Sequence, residues 1–377
     1  MRSVFFLSLM NGGAWGGSEE VWFRTALWMA RSGYKVGIGC YHWPEKQARI
    51  DELKNAGCAV YLLPNKKGLF KKLVLKKALS AFPFSQYQLT VINQGGWEEV
   101  LHAPFRHLYK KLPAYVLLNH NYNEQATLSA AKQKLLHQWL NGAKMNFGAT
   151  QKIFEVIERK FNISIEKKET LLNPITFTPD AEPGHYPAYT NDTCTWVMLA
   201  ELDTARKAQD ILINALSSSK WKARNWQLHL YGYGKDKEKL EKLIAEQGLE
   251  NKVLLKGFTT KIKQTLLDCH LLLQCTLIDA MPLSVVEAMA TGRPCVVSNV
   301  GDMPVWIEDA VSGFICPEVT AAGIDETLEK CWQQKNNWAA MGRSAFETFI
   351  KKYPQPYEEK IADILCNISI RPGKELT

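Results

Sequence analysis

The sequence predicts an α/β protein built from two doubly wound, parallel-sheet domains. Three observations carry that expectation. Near-continuous apolar, β-rich runs alternate with stretches of helical periodicity from end to end, the pattern of a parallel sheet covered on both faces. The 377 residues exceed the size at which a single hydrophobic core usually stops growing. The alternation breaks once, at DAEPGHYPAYTND (180–192), where Pro183, Gly184 and Pro187 interrupt it, and then restarts. That segment reads as a linker. It sets the expected boundaries: a first domain over 1–180, a second over 181–352, and a closing stretch, 353–377, read as a helix that packs back on the first domain.

In the first half the expected strands are SVFFLSL (3–9), KVGIGCY (35–41), AVYLLP (59–64), QLTVIN (88–93), YVLLNH (115–120), KMNFGA (144–149) and TLLNP (170–174). Helices are expected over 18–32, with Ser18 as its N-cap, and over 123–140. In the second half the strands are TWVMLAEL (195–202), WQLHLYGYG (226–234), KVLLKGF (252–258), HLLLQCT (270–276), PCVVSN (294–299) and GFICP (313–317).

Composition narrows the function classes. With 46% hydrophobic and 22% charged residues the chain is an ordinary globular protein. No apolar run reaches the roughly 18 residues of a membrane span, and MRSVFFLSLMNGGAWGG reads as a first strand, so a cytoplasmic protein is expected. Nine cysteines without a C-x-x-C pair read as reduced thiols. Cys269-His270 lacks a second ligand pair and no D-x-D occurs, so neither a metal nor a cofactor is expected. The net charge of +8 admits nucleotide phosphates, nucleic acid or a phospholipid surface. No RNA-binding signature or zinc spacing accompanies it, and nucleic acid is not expected.

In an open parallel sheet, ligands bind beyond the C-terminal ends of the strands, where helix N-termini present free N–H groups. Asp279 follows HLLLQCT, and Pro282 suits the first turn of the helix PLSVVEAMA. The amides near Leu283 and Ser284 would then favour an anion such as a diphosphate, with Glu287 one turn further on. PCVVSN runs into Gly301-Asp302 and another helix start, the glycine permitting close backbone approach. Arg206 and Lys207 begin a helix after the 195–202 strand. There they either neutralise a departing diphosphate or form a solvated helix end. In the first half, MNGGAWGGSEE is a glycine-rich strand-to-helix turn but not G-x-G-x-x-G. His120 ends YVLLNH, and Asn121 and Asn173 are polar strand-end residues. NKKGLFKKLVLKKALSAF (65–82) interleaves three lysine pairs with leucines and phenylalanines, as a solvated helix or an anionic-bilayer surface would.

One family matches these pieces in order. DAMPLSVVEAMATGRPCVVSNVGDMP (279–304), followed by SGFICP (312–317), resembles the signature of the retaining GT-B glycosyltransferases of family 4, the glycosyl transferases group 1. GGSEE (16–20), KAQDILINAL (207–216), LHLYGYG (228–234) and LLKGF (254–258) fall in the expected order, so the resemblance spans nearly the whole chain. It implies a GT-B fold of two Rossmann-like domains facing a cleft. It further implies transfer of a sugar, with retention, from a UDP- or GDP-sugar to a glycan, lipid-linked or envelope acceptor, without a metal. By that match Glu287 meets the donor ribose, Asp279 the sugar hydroxyls, and Lys207, helped by Arg206, the leaving diphosphate. Met281, Pro282, Leu283 and Ser284 contact sugar and phosphate through backbone, and Gly232, Gly234 and Phe258 border the base. Gly16 and Gly17 lie by the donor phosphate or acceptor, Trp15 stacks on a sugar face or packs between domains, and His120 meets the donor sugar, with Asn121 beside it. Two departures stand out. Asp279 replaces the usual glutamate, and Glu201 stands where the family has an arginine, which keeps open a catalytically silent protein that binds a sugar nucleotide or membrane as a scaffold. An enzyme of the same fold doing epimerisation or hydrolysis is a third reading.

Overall fold

The computed structural model describes residues 2–11, 15–65 and 71–370. The chain divides into two compact units: unit 1 is Met1–Pro174 with Pro354–Thr377, and unit 2 is Ile175–Tyr353.

Among the described residues unit 1 holds seven strands, β1 (Ser3–Ser8), β2 (Lys35–Tyr41), β3 (Ala59–Leu63), β4 (Leu89–Gly96), β5 (Tyr115–Asn121), β6 (Met145–Gly148) and β7 (Lys168–Thr170). They form one sheet in the order β3-β2-β1-β4-β5-β6-β7, every pairing parallel. β1 is buried along its whole length, as a strand with helices on both faces must be. The helix Gly17–Arg31 packs against the C-terminal helix Tyr357–Ile370. Arg24 pairs with Glu358 there, and Ile361, Leu365 and Cys366 are buried.

Unit 2 holds six strands, β8 (Cys194–Leu199), β9 (Trp226–Tyr231), β10 (Val253–Gly257), β11 (Leu271–Gln274), β12 (Cys295–Ser298) and β13 (Gly313–Cys316), in the order β10-β9-β8-β11-β12-β13 and again all parallel. Its core is rich in indoles: Trp196 stacks on Trp226 at 5.1 Å, and Trp221 meets Trp196 edge-on at 5.9 Å. Such pairs add roughly 0.5–1.5 kcal/mol each beyond the apolar area they bury. Each sheet reverses its strand order once, between β1 and β4 and between β8 and β11. These reversals are the points where ligands bind in open α/β sheets.

Several expectations change. The 180–192 stretch is a strap belonging to unit 2, and the chain passes from unit 1 to unit 2 between Pro174 and Ile175. The strap is held by contacts from residues far away in sequence. Tyr189 stacks on His270 at 4.5 Å, the Tyr186 hydroxyl donates to the His270 carbonyl at 2.7 Å, and Asp180 pairs with Lys263 at 2.7 Å. Arg293, fully buried, donates to five carbonyls, those of Leu266, Leu267, Thr291, Gly292 and His185, the last in the strap. Of TLLNP, Thr170 ends β7 (Lys168–Thr170) and the Leu171 amide still bonds the Gly148 carbonyl at 2.9 Å, after which the chain leaves the ladder as the Asn173 side chain turns to His120. The helix expected over 123–140 is Ala130–Gly142, because Asn123 takes the Gln125 amide and closes a turn first. Ser18 is not the N-cap. The helix starts at Gly17 with Gly16 as cap, and the Ser18 hydroxyl faces Met10 Sδ at 3.3 Å. Of the basic stretch 65–82, residues 66–70 lie outside the described residues and Lys71–Ser80 is helical.

Candidate functional site

Lys207 and Asp279 meet at the strand-order reversal of unit 2. Lys207 follows β8 and Asp279 follows β11, and Lys207 Nζ donates to Asp279 Oδ2 at 2.7 Å with both side chains mostly buried. The backbone fixes this meeting. A short helix, Thr204–Lys207, is anchored by Asp236, whose carboxylate accepts from the Thr204 amide at 2.7 Å and hydroxyl at 2.9 Å. Those two bonds hold the Asp236 carboxyl below its usual range. The helix stops because Ala208 takes a left-handed conformation, φ 53°, ψ 28°, a strain of roughly 1–2 kcal/mol for a residue with a Cβ. The Arg206 carbonyl then accepts from Thr276 Oγ1 at 2.6 Å, Leu277 N at 2.9 Å and Ile278 N at 3.1 Å. One backbone oxygen thus ties the two strand-end loops together.

Below Asp279 the helix Leu283–Ala290 begins, with Pro282 as its cap residue and no side-chain cap. The Leu283 amide bonds the Met281 carbonyl, and Val285 and Val286 share the Pro282 carbonyl. The Ser284 amide carries no hydrogen bond among the described residues, so it is open to an acceptor. Gly301 secures the loop from the other side. With φ +56°, its position would place a Cβ 2.6 Å from the carbonyl oxygens of Asp279 and Ala280, a contact only glycine avoids.

Glu287 lies inside unit 2, 4% exposed, where its Oε1 accepts from the Thr176 amide at 2.9 Å and hydroxyl at 2.7 Å. Burial raises its carboxyl above the ordinary carboxylate range, against the lowering effect of Thr176. It therefore already binds a hydroxyl, that of its own chain. Arg206 pairs with Glu201 at 3.2 Å and Asp203 at 3.8 Å, and is about half exposed. At the ends of β9 and β10, Gly232 and Gly234 let the loop pass against the backbone of residues 200–202, since a Cβ at either would come within 2.2 Å of a carbonyl oxygen. The loop carries Tyr233, 67% exposed, stacked at 5.9 Å on Phe258, 64% exposed. Two large rings left in solvent side by side are an open π surface. Tyr233 was not singled out from the sequence, although its place between two glycines, which cannot cover it, was a usable signal.

In unit 1 the named residues form a different kind of cluster. His120 Nε2 lies 2.6 Å from Asn93 Oδ1 and Nδ1 lies 2.9 Å from the Asn173 amide group. Asn93 Nδ2 in turn points at Ser8 Oγ and at Glu19, each at 3.4 Å. Glu19, 2% exposed, pairs with Lys46, 1% exposed, at 2.5 Å, and also accepts from Ser8 and Trp22. A buried ion pair thus anchors the hydrogen-bonded chain that ends at His120. Neither Glu19 as an ion-pair partner nor Lys46 was foreseen. Gly16 and Gly17 open the helix that carries Glu19. Trp15 packs within the unit, its Nε1 donating to Glu20 at 2.7 Å and its ring covered by Arg49 at 4.2 Å. Asn121 closes a turn by accepting the Tyr122 amide at 2.9 Å.

Burial pushes the His120 ring down to about 4, with the Asn173 bond opposing the shift. Its folded value lies below the unfolded one, near 6.5, so the unfolded chain binds the extra proton between those limits and stability falls as pH drops from 6.5 towards 4. Wild type should lose roughly 3 kcal/mol more than His120→Gln between pH 7 and pH 4, read from urea unfolding followed at each pH.

Comparison with known proteins sets these units beside relatives. Residues 192–348 match the model of the family described as glycosyl transferases group 1. That match covers most of unit 2. The chain is 32% identical over 151 residues, 39% of its length, to a poly(ribitol-phosphate) alpha-N-acetylglucosaminyltransferase of Staphylococcus aureus (strain COL), covering 30% of that protein. It is 31% identical over 133 residues to an amylovoran biosynthesis glycosyltransferase of Erwinia amylovora, covering 33% of each chain. The match therefore spans about a third of the length of either relative. Over nearly the full length, the fold is that of the Anabaena protein HepE crystallised with UDP, at TM-score 0.71 and 17% identity, covering 97% of this chain and 100% of that one. A glycosyltransferase from Rickettsia africae superposes at TM-score 0.74 and 15% identity, covering 98% and 99%. The chain has the GT-B fold, with the group 1 signature in the unit that holds Lys207, Asp279 and Glu287.

Proposed function

We propose that the chain is a retaining glycosyltransferase that moves a sugar from a UDP- or GDP-sugar to a glycan, lipid-linked or envelope acceptor. The observation that carries this reading is the Lys207–Asp279 pair at the strand-order reversal of the group 1 unit, beside the open start of the helix Leu283–Ala290. Lys207 neutralises the diphosphate as the sugar–phosphate bond breaks, and the Ser284 amide donates to it, with backbone of Met281, Pro282 and Leu283 alongside. Asp279, which holds Lys207 while no donor is present, accepts from sugar hydroxyls. Glu287 takes the ribose hydroxyls in place of Thr176. The Tyr233–Phe258 stack receives the base, with Gly232 leaving room for it. In unit 1, His120 meets the donor sugar as a neutral ring, Gly16 and Gly17 give backbone access to phosphate or acceptor, and Trp15 and Asn121 face the acceptor. Catalysis then rests on stabilising charge that develops in the transition state, and the reading includes no metal. Nine cysteines, all unpaired and buried, favour a reducing, cytoplasmic setting.

That both acids already have partners also supports a second reading. The Arg206–Glu201 pair occupies the position where the family's arginine would serve the diphosphate, as in a silent scaffold that binds the sugar nucleotide without turning it over. A thermal-shift screen with UDP, GDP, ADP and their sugars tests binding. A nucleotide present at a hundred times its Kd should stabilise the protein by roughly 2.7 kcal/mol. No shift with any of them ends both readings, whereas a shift without donor turnover leaves the scaffold.

A further inference from the structure

At the C-terminal edge of the unit 1 sheet, the loops after three adjacent strands each hold a buried polar atom that nothing among the described residues bonds. They are Trp43 Nε1 after β2, Asn11 Oδ1 after β1 and Glu99 Oε2 after β4. Buried polar groups are normally hydrogen-bonded, so three exceptions on neighbouring loops at a strand-order reversal point to a ligand that supplies the missing partners. The turn bearing Glu99 is built to stay in place. The Val100 amide donates to Gln94 Oε1 at 3.3 Å, Gln94 Nε2 to Asn119 Oδ1 at 2.8 Å, and Asn119 Nδ2 to the Phe147 carbonyl at 3.2 Å, with Gln94 and Asn119 both buried. Gly95 leaves room for the carboxyl, since a Cβ there would come 3.0 Å from Glu99 Oε1. The charged groups facing Glu99 are acids: Glu19, itself paired with Lys46, on the helix Gly17–Arg31, and Glu98 on its own turn, while Tyr41 faces it from the end of β2. Burial, helped by these two acids and opposed by the Gly95 amide, pushes the Glu99 carboxyl up to about 7.

We infer that Glu99, Asn11 and Trp43 hold a neutral polyol, a sugar ring or sugar alcohol with neighbouring hydroxyls. The two open acceptor oxygens take two hydroxyl protons, and the indole N–H donates to a hydroxyl oxygen. A phosphate or carboxylate in this place would face Glu99 with no cation between them. An amine would suit Glu99 but leave the indole N–H without an acceptor. The role given to the polyol rests on the sugar transfer proposed above: it is the hydroxyl-bearing end of the acceptor, and Glu99 sets the preference for a neutral one.

Saturation-transfer NMR titrations without nucleotide test it, using methyl α-glucoside, methyl α-galactoside and sorbitol, with gluconate as the anionic control. Wild type should bind at least one neutral polyol, and gluconate more weakly. Glu99→Gln should weaken the neutral polyol roughly tenfold or more, the effect of losing a hydrogen bond to a charged group, and Trp43→Phe roughly fivefold. Melting curves separate this from a structural role. The folded value of Glu99, about 7, lies above the unfolded value near 4.5, so its ionisation opposes folding, and Glu99→Gln should melt higher than wild type at about pH 8. A Glu99→Gln protein that melts lower there overturns the inference, as do failure of every neutral polyol to bind, gluconate binding as tightly as the neutral polyols, and polyol binding that Glu99→Gln leaves unchanged. UDP affinity should be the same in Glu99→Gln as in wild type. Polyol binding in a protein that binds no nucleotide would keep the site and end only its role as the acceptor's.

Discussion

Lys46→Met should destabilise unit 1 by roughly 3–5 kcal/mol, the cost of leaving one member of a buried ion pair alone. Glu19, 2% exposed, would be left with Ser8, Trp22 and Asn93 among the described residues to bond it. The measurement is the denaturant midpoint of unit 1, set against Glu19→Gln and the double variant. If the cost arises from the orphaned carboxylate, Lys46→Met/Glu19→Gln should recover much of what Lys46→Met loses, and the cycle will show strong coupling. Equal losses in the double variant and in Lys46→Met would mean that the lysine matters for packing its stem and not for its charge. Because Asn93 lies between Glu19 and His120, the single variant should also flatten the His120 contribution to the pH profile of stability.

Lys207→Ala should lower donor turnover by roughly 10²–10³-fold, the usual effect of removing one preorganised donor from developing charge. Lys207→Arg should restore part of it, since the charge returns with altered geometry. Binding of the free nucleoside, which has no phosphates, should not change, whereas the nucleoside diphosphate should bind more weakly. Measuring turnover, diphosphate affinity and nucleoside affinity on the same variants separates charge stabilisation from a collapsed site. Loss of nucleoside binding as well would show that the alanine disturbs the Arg206–Thr276 corner rather than the chemistry.

The strands were legible because a buried parallel strand is an uninterrupted apolar run, and β1 or β12 cannot be read otherwise. The placement of Lys207 and Asp279 was legible for a related reason, since both follow strands whose ends the apolar runs mark. The strap at 180–192 was misread because local composition cannot show a partner a hundred residues away: Arg293 donates to the His185 carbonyl, and Tyr186 and Tyr189 pack, partly buried, against the core of unit 2. Glu19 and Lys46 were passed over because charged side chains are almost always solvated unless paired, and nothing in a single sequence pairs residues 27 apart. Glu287 was expected to reach a ligand hydroxyl. In the structure its Oε1 accepts from the Thr176 hydroxyl, a contact set by where the chain enters unit 2.

Unit 2 is one unbroken stretch, whereas unit 1 is closed only by the helix Tyr357–Ile370 lying on Gly17–Arg31. On the ribosome, then, the later unit can finish first. The early sheet must wait, at roughly 5–20 residues per second, through the synthesis of the whole inserted unit before its last helix arrives. Until then the helix bearing Glu19 has its sheet on one side and lacks the C-terminal helix on the other, and nascent chains halted before residue 357 should be the ones that chaperones hold and proteases cut.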